Sequence, residues 1–246
     1  MGRLTRTIFR KQGPPRYAAM YEAEAEGLRA LRAAGVRAPE PYAHGIEGAQ
    51  AYLKMERLEL GGPSDWPALA RMLANLHRNT GPEFGWGTDN WIGLSPQKNG
   101  WSRDWIGFYR DCRLLPQLHR AHLLSEAEPV LEHLDRFFAG YSPVPSLLHG
   151  DLWRGNAGFL AGGAPVVFDP AVYRGDRETD LAMTELFGGF PAAFHAAYRQ
   201  AWPLDPGYET RRPLYNLYHL LNHLNLFGAS YLGEVNSTLR LLLRGL

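Results

Sequence analysis

The stretch LLHGDLWRGNAGFLAGGAPVVFDPAVYRGDRETD, residues 147–180, places several carboxylates, an amide and a histidine between two short apolar runs. An HGD triplet ends at Asp151, Asn156 follows after four intervening residues, and Asp169 closes the apolar run PVVF. Phosphoryl transfer requires a carboxylate that accepts the proton of the attacking hydroxyl, oxygen ligands for a metal ion, and fixed positions for both. Asp151, Asn156 and Asp169 supply these groups. The stretch therefore predicts a phosphotransfer site with Asp151 as the catalytic residue.

Asn156 and Asp169 are the candidate metal ligands of this site. Mg²⁺ takes oxygen ligands from one or two carboxylates together with substrate phosphates, whereas zinc sites are built mainly from histidine and cysteine. The pair therefore predicts Mg²⁺ with a bound nucleotide. Taken singly, the pieces are also compatible with an ordinary glycine turn and an Asp-Pro turn. Their combination beside two predicted strands, SLLH and PVVFD, favours the phosphotransfer site.

The length and the charge of the chain limit the classes of protein and partner. The 246 residues carry 26 Lys and Arg against 25 Asp and Glu, a formal net charge of +1. A chain of this length buries a substantial core and lies near the size at which one domain divides into two. Because the charges are mixed along the sequence, neither a nucleic acid nor an anionic membrane is expected as a partner. A small molecule or a surface side chain is the expected substrate.

The chain is expected to be cytoplasmic. It contains no run of about 18 apolar residues that would predict a membrane span, and its first residues, MGRLTRTIFRK, lack the apolar segment of a signal peptide. Cys112 is the only cysteine, which excludes an internal disulfide and a metal cluster built on cysteines.

Lys11 ends a predicted strand, residues 5–11, that a Gly-Pro-Pro sequence terminates soon afterwards. Lysine is rare in this chain, because arginine supplies nearly all of the positive charge. In protein kinases a strand lysine reaches the α- and β-phosphates of the nucleotide and pairs with a glutamate of the next helix. Residues 18–34 predict that helix, since apolar residues recur at helical spacing and three glutamates stand in its first half.

Two motifs give the sequence a family resemblance. HGDLWRGN at 149–156 and DPAVYRGDRETDLAMTELFGGF at 169–190 resemble the fructosamine kinase (ketosamine 3-kinase) family, whose pattern reads close to HGDLWxGN and then DPAxxxGxxExxLAMxxLFGGF. The shorter HGDxxxxN pattern is shared with aminoglycoside phosphotransferases and choline kinases. Trp153 and the LFGGF run favour the fructosamine kinases. The likeness extends from about Ile8 to the C-terminus and includes an FGxxxDNxIGxxxQxNGW-like segment at 84–101.

This resemblance implies ATP-dependent phosphorylation of a ketosamine, a sugar condensed on an amine, at its third hydroxyl. The acceptor is then a small sugar-amine or a glycated protein side chain, and the cofactors are ATP and Mg²⁺. The family pattern FxxEAxGL selects Glu24 as the partner of Lys11. The resemblance also places backbone groups of Glu56, Arg57 and Leu58 against adenine.

Three residues are the candidate substrate contacts. Trp153 would offer an apolar platform to the sugar ring, with packing beneath its loop as an equal alternative. His149 and Glu178 are included because they belong to the two motifs, Glu178 by position only. Acceptor recognition is also expected from a loop at 172–178 and from a row of polar residues for which burial is the alternative: His219, Asn222, His223 and Asn225.

The predicted fold is α+β, a protein-kinase-like arrangement of two lobes. Residues 1–60 form a small N-terminal lobe of strands and one helix, and residues 61–246 form a mainly helical catalytic lobe, with the joint near 58–63. The aromatic stretch 79–101 is predicted to be a long loop in which Trp86, Trp91 and Trp101 provide packing, with a substrate contact as the alternative for some of them. Helices are predicted in the second lobe at 65–78, 104–118, 125–138, 179–187, 191–201, 211–227 and 234–243.

One feature departs from the kinase pattern. Protein kinases cover the phosphates with a glycine-rich loop between two strands that precede the lysine strand, and no such strands stand before Lys11. A pseudokinase with an incomplete nucleotide lobe is therefore an alternative, against which the intact Lys11, Asp151, Asn156 and Asp169 argue. An aminoglycoside- or choline-type phosphotransferase is a second alternative. The oligomeric state is left open.

Overall fold

The structure, a computed structural model, describes residues 7–246. The strands are β1 (Ile8–Gly13), β2 (Pro41–Glu47), β3 (Gln50–Glu56), β4 (Phe84–Trp86), β5 (Asn90–Ile92), β6 (Ser95–Gln97), β7 (Gly100–Ser102), β8 (Ser146–Leu148), β9 (Ala157–Phe159), β10 (Pro165–Val167) and β11 (Tyr173–Gly175). The α-helices are α1 (Ala18–Ala33), α2 (Trp66–His77), α3 (Trp105–Tyr109), α4 (Leu115–Ala121), α5 (Leu124–Glu132), α6 (Glu178–Thr184), α7 (Ala192–Ala201), α8 (Tyr208–Phe227) and α9 (Leu232–Arg244). This mixture confirms the predicted α+β class.

Lys11 lies on the N-terminal sheet. β3 is the central strand, and β1 and β2 pair with it on either side in antiparallel register, with Lys11 opposite Leu53. β1 continues to Gly13, two residues beyond the predicted end, while residues 5 and 6 of the predicted strand lie outside the described residues. Within residues 7–246, β1 is an edge strand of this sheet.

Helix α1 packs against the sheet and agrees with the predicted helix at 18–34 to within one residue. Tyr21, Ala25, Leu28 and Leu31 recur at helical spacing and are all buried, because they form the face that contacts the sheet. Burial of one such leucine stabilises the fold by roughly 2 kcal/mol. The helix ends before Gly35, whose φ of +82° is a left-handed conformation that favours glycine after a helix.

The two predicted lobes share a hydrophobic core. One cluster of buried residues includes Leu28 of α1, Leu53 of β3, Leu73 of α2 and Val167 of β10. The joint near 58–63 is also fixed, because the Gly61 amide donates to a carbonyl at the end of β9 over 3.1 Å. The division of the chain at residue 60 remains a prediction, although the shared core indicates that the two parts hold one another in place.

The helices of the larger part follow the predictions in position but not always in length. Asp65 caps α2, since its carboxylate accepts a hydrogen bond from the Ala68 amide at 2.9 Å. The helix predicted at 104–118 is instead α3 and α4 joined by a π-helical turn, in which Arg113 is fully buried. The helix predicted at 125–138 ends as α5 at Glu132 and gives way to a 3₁₀ helix. No helix within residues 7–246 is long and apolar enough to span a membrane.

The aromatic stretch at 79–101 was predicted to be a loop, and this prediction was wrong. It contains β4 to β7, strands of three residues that are too short for a repeating pattern in the sequence. β5 and β6 form a hairpin that is fixed to the chain following Asp169. The side-chain amide of Asn90 donates to the Val172 carbonyl at 2.7 Å, and that of Gln97 donates to the Ala171 carbonyl at 3.0 Å.

Candidate active site

A cavity of about 420 Å³ lies between α1, the β5–β6 hairpin, the loop after β8 and the C-terminal end of α8. Residues far apart in the sequence meet here because the shared core brings the sheet and the helical part together. Six of the predicted site residues line it: Lys11, Glu24, Asp151, Trp153, Asn156 and Asp169. The predicted candidates for catalysis, phosphate binding and metal binding therefore lie in one cavity.

The loop after β8 holds Asp151 in a fixed orientation. Gly150 has φ +84°, and a Cβ there would lie 2.0 Å from the Ala171 carbonyl oxygen, so only glycine fits. The Asn156 side-chain amide donates to the Asp151 carbonyl at 2.8 Å and to its carboxylate oxygen Oδ2 at 3.1 Å. Burial raises the pKa of the Asp151 carboxyl to about 7, a value suited to accepting a proton near neutral pH.

Lys11 joins the sheet to the rest of the site. Its Nζ lies 2.7 Å from Oε1 of Glu24 and 2.7 Å from Oδ1 of Asp169. Burial alone would lower the pKa of Lys11, but the two carboxylates outweigh it and raise the pKa above its ordinary value. The ammonium group is therefore fully charged near neutral pH, as a phosphate-binding lysine must be.

The oxygen donors of Asn156 and Asp169 fit Mg²⁺ better than zinc. Asp169 is about half exposed and has a left-handed φ of +57°, an uncommon conformation that Asp and Asn tolerate better than most residues. Within residues 7–246 no group of three or more His, Cys, Asp or Glu side chains is arranged to hold a metal ion. One carboxylate and one amide oxygen match the incomplete protein ligand set of a Mg²⁺ ion, which keeps waters and phosphate oxygens as its other ligands.

His149 was a candidate substrate contact, but the structure gives it a different role. Its side chain is fully buried and is not part of the cavity lining. Nε2 donates to the Phe168 carbonyl at 3.0 Å, and Nδ1 accepts from the Asp151 amide at 3.3 Å. Burial lowers the pKa of His149, so the imidazole is neutral and can donate and accept in this way. Through these two hydrogen bonds His149 links the backbone of Asp151 to the backbone of Phe168, the residue before Asp169.

Glu178 was the other substrate candidate that the structure places elsewhere. Its carboxylate is fully buried at the start of α6 and forms two hydrogen bonds with Arg211, at 2.7 and 3.0 Å. The chain at 172–178, expected to take part in acceptor recognition, forms β11 and the start of α6 and is almost entirely buried. These side chains therefore stabilise the fold beneath the site and do not reach the cavity.

The predicted adenine contacts lie outside the cavity lining. The Glu56 carboxylate is paired with Arg37. The backbone amide of Glu56 donates to the Glu40 carbonyl at 2.9 Å, and the backbone amide of Arg57 donates to the Thr7 carbonyl at 3.0 Å. Because both amides are already engaged, adenine recognition would depend on other backbone groups of this segment. A role for it, including Leu58, stays a prediction.

The side of the cavity that holds the predicted acceptor contacts is mainly aromatic and apolar. Trp153 is 36% exposed, and its ring packs so closely on Gly155 that a Cβ there would lie 2.3 Å from it and would force the ring to shift. Of the predicted polar row, Asn222 and His223 line the cavity, whereas His219 and Asn225 do not. Trp91, one of the three tryptophans for which packing was predicted and a substrate contact was the alternative, also lines the cavity. The sequence did not indicate further lining residues on the hairpin and at the end of α8, among them Leu94, Leu226 and Phe227.

Asp180, a residue that the sequence reasoning did not single out, holds the backbone of the catalytic loop. Its carboxylate accepts from the amides of His149 at 2.7 Å and Gly150 at 2.9 Å, and from Nε2 of His77 at 3.2 Å. Burial alone would raise the pKa of Asp180, but the hydrogen bond and the charge interaction with His77 outweigh it and lower the pKa. A signal was present in the sequence, because Asp180 is a charged residue that stands directly before the apolar run LAM of a helix.

Replacing Asp180 with Asn is expected to lower the free energy of unfolding by about 3 kcal/mol or more. Three donors now converge on the Asp180 carboxylate. The side-chain NH₂ of asparagine would face one of these donors instead of accepting from it, so a buried polar group would lose its hydrogen-bond partner. Because its folded pKa is lowered, the Asp180 contribution is present at neutral pH and is lost as the pH falls below the ordinary range of aspartate. Urea unfolding at pH 7 measures the loss. Exposed Asp135→Asn is the control, and equal unfolding midpoints for the two variants would contradict the role of Asp180.

Comparison with known proteins agrees with this site. The sequence model of the family "Fructosamine kinase" matches residues 3–245. The chain belongs to the fructosamine kinase family. A "Probable ketoamine kinase" of Synechocystis is 46% identical over 233 residues, which cover 92% of this chain and 79% of that protein.

Solved structures confirm the predicted fold. The crystal structure of a "Putative fructosamine-3-kinase" from Haemophilus somnus superposes with a TM-score of 0.90 at 29% identity, covering 97% of this chain and 84% of that one. An aminoglycoside phosphotransferase, APH(4)-Ia, solved with AMP-PNP and hygromycin B, has a TM-score of 0.57 at 15% identity, covering 98% and 87%. At that identity the second likeness concerns the fold alone. The protein-kinase-like architecture of the fructosamine kinase family is therefore shared by this chain.

Proposed function

We propose that this protein is an ATP-dependent ketosamine kinase that phosphorylates a hydroxyl of a sugar condensed on an amine. The observation that carries the proposal is the convergence of Lys11, Asp151, Asn156 and Asp169 in one cavity whose other side is lined by aromatic and neutral polar groups. Membership of the fructosamine kinase family supports the acceptor class. A cytoplasmic location and a glycated side chain or a small sugar-amine as partner remain predictions.

In this proposal the side chains divide the reaction between them. Asp151 accepts the proton of the acceptor hydroxyl as that oxygen attacks the γ-phosphorus, and Asn156 holds the Asp151 carboxylate in the required orientation. Lys11, held by Glu24, binds the negatively charged α- and β-phosphates. Asn156 and Asp169 would hold Mg²⁺, which when bound neutralises negative charge on the phosphates. These residues position the reactants and stabilise charge, which is most of what phosphoryl transfer requires.

The acceptor half of the cavity argues against the two alternative phosphotransferases. Aminoglycosides carry several positive charges, which a binding site would be expected to match with carboxylates. Among the described lining residues the only acidic ones are Glu24, Asp151 and Asp169, and all three are assigned to the phosphate and proton chemistry. A neutral wall that includes Asn222 and His223 suits sugar hydroxyls better than a polycation.

A panel of acceptors tests this proposal. Amines carrying a 1-deoxyfructose or a ribulose group are expected to be phosphorylated, whereas kanamycin and choline are expected to give rates at least about 10⁴-fold lower in kcat/KM. Choline has a single hydroxyl and would leave polar groups of the site unpaired, whereas the positive charges of kanamycin would find no carboxylate among the described lining residues beyond those assigned to the phosphate and proton chemistry. Coupled detection of ADP measures each rate, and free fructose controls for the contribution of the amine.

Two outcomes would contradict the proposal. Turnover restricted to aminoglycosides or choline would overturn the acceptor class and leave the kinase chemistry in place. Complete absence of ATP turnover with every acceptor, in protein shown to bind ATP, would favour a pseudokinase.

A further inference from the structure

The LFGGF run contains a strained aromatic residue just outside the cavity. Phe187 has a φ of +50°, and Gly188 and Gly189 that follow have φ values of +85° and +58°. Glycine adopts this left-handed conformation freely, but a bulky residue such as phenylalanine adopts it at a cost in free energy. Such strain persists only where the surrounding structure enforces it, and it is concentrated at functional sites.

The surrounding contacts enforce this conformation from both sides. Before the strained residue, the amide of Leu186 donates to the carbonyl of Met183 at the end of α6. After it, the amide of Gly189 donates back to the carbonyl of Leu186 at 3.0 Å. Phe190 then fixes the chain by packing its ring against Trp66 and Phe194, with ring centroids 5.1 and 4.8 Å away.

The result of this conformation is a contact between Phe187 and one residue that lines the cavity. The ring centroids of Phe187 and His223 are 4.2 Å apart, the shortest such distance among the ring pairs of the described chain. His223 in turn lies 5.3 Å from Phe227, which also lines the cavity. Tyr231 closes the group, with its ring centroid 5.2 Å from His223 and 6.0 Å from Phe187. His223 and Phe227 thus line the cavity, and Phe187 and Tyr231 pack against them without lining it.

The hydrogen bond of His223 determines which of its two ring nitrogens can accept a hydrogen bond. Its Nδ1 lies 2.9 Å from the His219 carbonyl oxygen, which can only accept, so Nδ1 carries the proton and donates. Burial lowers the pKa of His223, so the ring is neutral and Nε2 is an acceptor. Because His223 lines the cavity, rotation of its ring would change the direction in which this acceptor points.

We propose that Phe187 is a positioning residue for the acceptor: its strained backbone presses its ring against His223 and so fixes the orientation of His223, which together with Phe227 forms an aromatic wall of the acceptor pocket. Phe187 itself does not line the cavity and acts only through His223. The proposal rests on the proposed kinase function for its kinetic consequence, but the geometry of the wall belongs to the free protein. It assigns a role to the LFGGF run, which carries none of the residues of phosphoryl transfer.

Phe187→Gly tests the proposal directly, because it removes the ring and relieves the strain at the same position. We expect the KM for a fructosyl-amine to rise about tenfold, while the KM for ATP stays within about twofold, since the ring supports only the acceptor side. Phe187→Tyr keeps the ring and should restore most of the acceptor affinity. His122→Gly is the matched control, because exposed His122 also has a left-handed φ, of +55°, and lies away from the cavity.

A spectroscopic measurement keeps the test independent of the substrate. In protein labelled with ¹³C-histidine, the His223 ring signal, assigned with His223→Gln, should move in Phe187→Gly because the ring current of a neighbour 4.2 Å away is lost. It should also broaden as the imidazole samples other orientations. The His122→Gly spectrum should keep the His223 signal unchanged.

The outcomes separate this proposal from the proposed function. If fructosyl-amines are phosphorylated but Phe187→Gly leaves their KM unchanged, or raises the KM for ATP equally, the positioning role is overturned and the kinase function stands. If no ketosamine is phosphorylated, the kinase function fails, and the histidine spectrum still decides whether Phe187 holds His223. An unmoved His223 signal overturns the proposal in either case.

Discussion

Asp151→Asn is expected to lower kcat for the acceptor by about 10³-fold while nucleotide binding stays within about twofold of the wild type. An amide cannot accept the proton of the attacking hydroxyl, but its oxygen can still accept the hydrogen bond that the Asn156 amide now donates to Oδ2 of Asp151. The loop geometry should therefore survive and only the proton acceptor is lost. Steady-state turnover and calorimetric titration with ATP and Mg²⁺ measure the two quantities on the same preparation.

The design of this experiment uses a second aspartate as a control. Asp111 forms an exposed pair with Arg110, at 2.7 Å, on the π-helical turn and is not part of the cavity. Asp111→Asn makes the same chemical change and should leave kcat unaltered. If Asp151→Asn kept more than about a tenth of the wild-type turnover, Asp151 would not be the general base, because such a residue typically contributes 10²- to 10⁴-fold.

The chemical residues were predictable from the sequence because their signals are local. Asp151 and Asn156 are separated by four residues in one loop, and Asp169 follows a short apolar strand, so the type and spacing of these residues already indicated the chemistry. Lys11 was found in the same way, from the end of a predicted strand, whereas the choice of Glu24 among the three glutamates of the next helix came from the family resemblance. The structure brings all five into one cavity, where their individual roles remain predictions.

The direction of a side chain was less predictable than its presence in a motif. His149 and Glu178 belong to the same motifs as Asp151 and Asp169, yet both are buried. Glu178 turns inward because its partner is Arg211, which stands 33 residues further along the chain on another helix. A single sequence does not reveal such a pairing, since nothing near Glu178 indicates it. The β5–β6 hairpin was missed for another reason, because strands of three residues carry no periodic signal.

Helix α6 connects the two sides of the site. Near its start, Asp180 holds the amides of the catalytic loop, and just beyond its end Phe187 packs against the aromatic wall of the acceptor pocket. The helix is buried along its whole length, so it is a rigid spacer between these points. We infer that the segment between Asp169, the predicted metal ligand, and the end of the LFGGF run sets the position of the acceptor relative to Asp151.

Asp169→Asn is expected to lower turnover by about 10³-fold and to remove most of the dependence of ATP binding on Mg²⁺. Asparagine is the informative replacement because it tolerates the left-handed φ of +57° as aspartate does, so the charge changes and the backbone does not. Lys11 would lose one carboxylate partner but keep Glu24 at 2.7 Å, which holds it at the phosphates. Calorimetric titration with ATP, with and without Mg²⁺, measures the effect.

Comparison with Asp169→Ala separates the effect of losing the carboxylate charge from the effect of a residue that disfavours the left-handed backbone. Alanine removes the charge and also carries the cost of a left-handed backbone, about 1 kcal/mol, so it should match Asp169→Asn in turnover and fall below it in stability. Equal stability of the two variants would indicate that the backbone relaxes when the side chain is lost. If the affinity of Asp169→Asn for ATP rose with Mg²⁺ as much as that of the wild type, Asp169 would not be a metal ligand. The charge that it places 2.7 Å from Lys11 would then serve only to orient the lysine.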